Sequence, residues 1–108
     1  MASEINPVKT IDSLILSLLA RKPMYGYQLI KETEEKSGGV FKFREGTLYP
    51  ALHRLERSKF IQGKWQVLPK GQQRKYYYIT EKGLRALGQR KSEWLKFSSA
   101  LNAFLETA

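Results

Sequence analysis

Eleven consecutive positions hold Thr47, Tyr49, His53, Arg54 and Arg57, side chains able to donate to a phosphate oxygen or a base edge. Lys64 follows, and Lys70, Gln72, Gln73, Arg74 and Lys75 then come almost without interruption. A guanidinium presents forked donors in one plane, which suits phosphate and guanine edges. Hydroxyls near a helix start add neutral donors where the helix itself favours an anion. The chemistry on offer is recognition of a polyanion. Catalysis is poorly served: there is no cysteine, a single histidine and no glycine-rich phosphate loop, and the carboxylates lie mostly in helical runs that suit solvation. Disulfides and thiolate metal sites are excluded. We expect neither an enzyme nor a cofactor or metal, and His53 reads as a surface or DNA-proximal side chain.

The distribution of charge supports this more than its total. Of a net +9 over 108 residues, positions 1–40 contribute nothing, five bases meeting five acids. Positions 41–79 hold nine bases against Glu45 and Glu56 alone. Such a concentration suits nucleic acid first, with a membrane surface or an acidic protein behind it. A hydrophobic fraction of 42% argues for a folded chain. The first seven residues lack the basic stretch and apolar run of a secretory leader. The longest apolar run, Leu14–Ala20, is too short to span a bilayer. A cytoplasmic location is expected.

The elements that must hold these residues follow from periodicity. Asn6 and Pro7 read as a helix cap and first turn, and Ile11, Leu14, Ile15, Leu18 and Leu19 form an apolar stripe that Pro23 ends. A second helix is expected from about Tyr25 to Ser37, with Tyr27, Leu29 and Ile30 as its apolar content and Gly38-Gly39 as its stop. The connector Val40–Glu45 has no clear period. A third helix is expected over Thr47–Ser58, its Leu48, Leu52 and Leu55 facing inward, Pro50 sitting in its first turn, and Tyr49, His53, Arg54 and Arg57 on the flanks and outer side. Phe60–Val67 and Arg74–Ile79 read as strands joined by a turn with Pro69 and Gly71 at its second and fourth places. Tyr77 shares a face with Ile79, and Tyr76 with Tyr78. Thr80 caps a helix running to about Thr107. Its second half is apolar over more than one face, and Leu87, Trp94, Phe97, Leu101, Phe104 and Leu105 are candidates for burial against a second copy.

Three helices, a hairpin and a long helix make a mainly α fold with a β-hairpin. This is the layout of a winged helix-turn-helix (1–79), extended by a C-terminal dimerisation helix (80–108) in one compact unit. The third helix fits the major groove, and the hairpin tip reaches neighbouring phosphates or the minor groove. Two other classes share this layout: a protein-interaction module on the same fold, and an RNA-binding basic domain. Tyr49 has two readings, phosphate contact or packing over the helix edge, and Tyr25 and Tyr27 read as packing beside Gly26.

The sequence also resembles the PadR family of bacterial transcriptional regulators over nearly its whole length. The matching blocks are Leu14–Leu19, Met24-Tyr-Gly-Tyr-Gln-Leu29, Gly46-Thr-Leu-Tyr-Pro-Ala-Leu52 with Arg54-Leu-Glu56, Phe60-Ile61, Trp65, and Arg74–Gly83. A single C-terminal helix places it with the short branch. The resemblance implies a homodimer that binds double-stranded DNA at palindromic operators and represses until a ligand or stress relieves it. It maps recognition-helix contacts onto Thr47, Tyr49 and Pro50, and the wing onto Lys70–Lys75. It further implies that Trp94, with Phe97 and Leu101, either fills the dimer interface or lines a cavity for a planar aromatic or cationic inducer.

Overall fold

The apolar stripe of the first helix is the surface over which the other elements close. The computed structural model describes residues 7–107, so the Asn6 cap lies outside the described residues. In chain order the elements are α1 (Pro7–Leu19), β1 (Met24–Tyr25), α2 (Gly26–Lys36), α3 (Glu45–Arg57), β2 (Ile61–Val67), β3 (Gln73–Ile79) and α4 (Glu81–Leu105). Ile15, Leu16, Leu18 and Leu19 of α1 are buried with Leu29 of α2, and with Leu48, Ala51, Leu52 and Leu55 of α3. Met24, Ile61 and Tyr77 close this core from the sheet, and Phe43 closes it from the connector.

Three features differ from the expectation. α3 begins at Glu45, where the Arg44 carbonyl accepts from Thr47 and Leu48, each at 2.9 Å. Pro50 therefore lies inside the helix, not in its first turn. Its missing N–H leaves the Gly46 carbonyl without a helical donor, a loss that exposed positions such as these tolerate because water can replace it. The hairpin gains a third strand, in the order β1-β3-β2, with Met24 opposite Tyr77 and Tyr25 opposite Tyr76. Tyr27, expected to pack, is 64% exposed.

α3 ends as helices closed by a left-handed residue do. Lys59 holds φ 63°, its N–H bonds the Glu56 carbonyl at 2.9 Å, and Phe60 N–H reaches Leu55 at 3.0 Å. Thr80 then joins this end to α4. Its Oγ1 accepts from Gly83 N at 3.1 Å and donates to the Lys59 carbonyl at 2.7 Å. The expected turn also forms: Gly71 N–H bonds the Leu68 carbonyl at 2.8 Å, and Gly71 takes φ 84°, which a side chain would resist.

Leu87 packs on the protomer's own core, and α4 then projects from a molecule 59 Å long and 29 by 22 Å across. No helix among the described residues is long and apolar enough to cross a membrane.

Candidate nucleic-acid interface

The buried row of α3 fixes what its other side presents. With Leu48, Ala51, Leu52 and Leu55 inside, Thr47, Pro50, His53 and Arg57 are exposed along the opposite side. Tyr49 lies on the flank facing α2. A methyl group at Gly26 would overlap the Tyr49 phenol oxygen and lie 2.9 Å from Cζ. Gly26 thus lets the start of α2 approach α3 and seats the tyrosine ring, while the ring remains partly in solvent. Both sequence readings of Tyr49 keep a physical basis.

Arg54, expected on the flanks and outer side, is turned toward α1. Its NH2 donates to Asp12 Oδ1 of α1 at 3.0 Å, with the arginine side chain 39% and the aspartate 10% exposed. One end of its fork is therefore held by a carboxylate inside the domain, and its Nε is buried without a hydrogen-bond partner among the described residues. The bond ties the outward-facing helix to the first helix, across the core.

The hairpin carries the second group. Lys70, Gln72 and Gln73 are exposed at or beside its tip, and Lys64 is exposed on β2 with Nζ 5.1 Å from the centre of the Tyr78 ring. Gln66 Nε2 donates to the Tyr78 hydroxyl at 2.8 Å. Arg74 lies 4.0 Å over the Tyr25 ring, and Tyr25 meets Tyr76 edge to face at 5.4 Å. A side-chain hydrogen bond with Tyr76 raises the Arg74 pKa above its ordinary value. Sequence reasoning missed the platform because Tyr25 reaches Arg74 only through the two-residue strand β1. Lys75 Nζ pairs with Glu56 Oε1 of α3 at 3.5 Å. The hairpin is thereby tied to α3 and one of the region's two acids is neutralised. Burial pushes the Tyr77 phenol beneath this bridge up to about 12, and Glu56 and Tyr49 add to the effect.

The structure therefore brings together Thr47, Tyr49, Pro50, His53 and Arg57 on one helix side, beside a basic hairpin joined to that helix by the Lys75–Glu56 pair. The residues expected at a second interface stand elsewhere, on α4. Trp94, Leu101, Phe104 and Leu105 are exposed, and Phe97 is half-buried with its ring 5.5 Å from that of Trp94. Leu87 is already engaged by its own core. No cluster of three or more histidine, cysteine or acidic groups suited to a metal occurs among the described residues.

Comparison with known families decides what this arrangement belongs to. Residues 15–89 match the transcriptional regulator PadR-like family. The chain is a PadR-family transcriptional regulator. A PadR family transcription regulator from hypervirulent Clostridium difficile is 38% identical, over 88% of this chain and 97% of that one, with a TM-score of 0.79. A transcriptional regulator from Clostridium thermocellum is 34% identical, over 86% and 90%, also with a TM-score of 0.79. An uncharacterized protein of Lysinibacillus sphaericus is 33% identical over 96 residues, which is 89% of this chain and 88% of that protein. The PadR-family match spans α2, α3 and both hairpin strands, so it covers the exposed side of α3 and the hairpin cations, while Asp12 and the α4 residues from Trp94 onward lie outside it. The three-stranded sheet with a long terminal helix is thus the winged helix of PadR regulators.

Proposed function

We propose that this PadR-family regulator binds double-stranded DNA sequence-specifically as a homodimer and represses transcription from a palindromic operator in the cytoplasm. The observation that carries the reading is the exposed α3 row of Thr47, Pro50, His53 and Arg57, set beside an acid-free basic hairpin and joined to it by Lys75–Glu56. α3 would enter the major groove, with Tyr49 at its flank, while Lys64, Lys70, Gln72, Gln73 and Arg74 hold the backbone on either side and Lys75 sets the hairpin against α3. Arg54 would brace this helix through Asp12.

Dimerisation is supported by the apolar residues that α4 leaves in water. Trp94, Phe97, Leu101 and Phe104 recur at alternating spacings of three and four, the seam a second helix covers. Leu105 extends it. Trp94 and Phe97 also form an aromatic platform within that seam. In a dimer two such platforms would face one another, suited to a planar aromatic or cationic inducer that relieves repression.

Selection of bound fragments from the source genome tests the reading. Enrichment of fragments sharing an inverted repeat is expected, and the genes beside it would point to the inducer. A bound pool with no shared repeat would contradict operator-specific repression.

A further inference from the structure

Strand alternation leaves one apolar patch that neither the core nor α4 uses. Ile61, Gly63, Trp65 and Val67 share a face of β2. Ile61 is buried, yet Trp65 is 65% and Val67 73% exposed. Their cross-strand partners are Lys75 and Gln73. Lys75 shows where this face looks, because its chain crosses the space left open at Gly63 to reach Glu56 on α3. Trp65 stands directly opposite Lys75 on that same face, nearer the hairpin tip than Gly63.

An indole left in water forgoes the gain of burial, and pairing of β2 with β3 does not require one here. What surrounds it limits what can cover it. Positions 61–79 carry Lys64, Lys70, Arg74 and Lys75 and no carboxylate. A second copy of a chain with net charge +9 would bring like charge to this rim. A duplex backbone instead alternates phosphates with apolar deoxyribose, which matches an indole set among cations.

We propose that Trp65, supported by Val67, packs against deoxyribose of the duplex on which α3 docks, an apolar and sequence-independent contact between phosphates held by the hairpin cations. The proposal rests on the nucleic-acid reading above. It is tested with a mixed-sequence duplex of about two helical turns, followed by anisotropy at several salt concentrations. Trp65→Ala weakens binding about tenfold, as expected when on the order of 60 Å² of apolar burial is lost. The dependence of log K on log salt keeps its parental slope, because no phosphate contact disappears, whereas Lys70→Ala makes the slope shallower by about 0.9. Val67→Ser gives a smaller loss, again at unchanged slope. In parallel, saturating duplex changes the tryptophan emission of the parent protein, and the Trp65→Phe protein, which keeps Trp94, loses that change.

Equal affinity of the parent and Trp65→Ala proteins, or an undiminished emission change in Trp65→Phe, would overturn the contact while leaving the nucleic-acid reading intact. Failure of the parent protein to bind any duplex would remove both. A Trp65→Ala protein that sediments as a monomer or melts without cooperativity would assign the indole to assembly or folding and also defeat the proposal.

Discussion

Replacing Arg54 with alanine separates two roles for this arginine, bracing the outward-facing helix and gripping a phosphate. The structure holds its NH2 at 3.0 Å from an Asp12 carboxylate that is almost out of solvent. Truncation leaves that carboxylate with its partner gone, and breaking fully buried pairs costs about 3–5 kcal/mol. The arginine side chain is 39% exposed, so screening moves the value toward the small worth of surface pairs. An intermediate loss of about 1.5–2.5 kcal/mol is expected in urea unfolding monitored by circular dichroism. Asp12→Asn should cost less, because the amide oxygen still accepts a hydrogen bond, and the double variant should cost less than the sum of the singles. Operator binding should weaken, because α3 loses its tie to α1, while dimerisation persists. The slope of log K against log salt should not change, whereas loss of a phosphate contact would make it shallower by about 0.9. Unaltered stability together with that shallower slope would refute the bracing role and return Arg54 to the backbone contacts. Equal loss of dimerisation and binding would refute the assignment of α3 altogether.

Other consequences follow from the same geometry. Gly83→Ala places a methyl group against the Phe60 carbonyl and 2.7 Å from Ile79 Cγ1, so chemical denaturation should show a loss of about 1–3 kcal/mol although no proposed DNA contact is touched. Tyr77 holds its proton to about 12 when folded, against about 10 in an unfolded chain. Its contribution is therefore complete below pH 10 and is lost as pH rises toward 12, by roughly 2 kcal/mol. Urea midpoints across that range should fall for the parent protein and fall less for Tyr77→Phe. Leu101→Glu puts a charge into the exposed seam of α4, so sedimentation should show monomers at micromolar concentration with the helical spectrum retained.

How much of this was legible in the sequence depends on how local each determinant is. The Thr80 cap, the Pro69–Gly71 turn and the buried Leu48, Leu52 and Leu55 row are set by neighbours within a few positions, and all appear as expected. The strand Met24–Tyr25 escaped because two residues carry no period, and Pro23 before them marks only the end of α1. The start of α3 was misplaced because a backbone carbonyl, that of Arg44, receives its first donors, so no capping side chain announces it. In the connector Phe43 is buried while Val40 is exposed, and only the assembled core decides between them. Arg54 illustrates the deeper limit. Helical spacing puts it on the flank, but its partner lies 42 positions earlier, so its direction is a tertiary fact. Arg74 likewise depends on Tyr25, brought over by strand pairing.

The central claim is that α3 and the basic hairpin meet a polyanionic duplex, in two copies. It is tested most directly by the affinity of the intact protein for duplex DNA as salt is raised. Two basic surfaces on one duplex predict that log K falls linearly with log salt, with a slope steeper than about −4. Binding that is absent in dilute buffer, or indifferent to salt, would contradict the account and favour a winged helix that engages another protein.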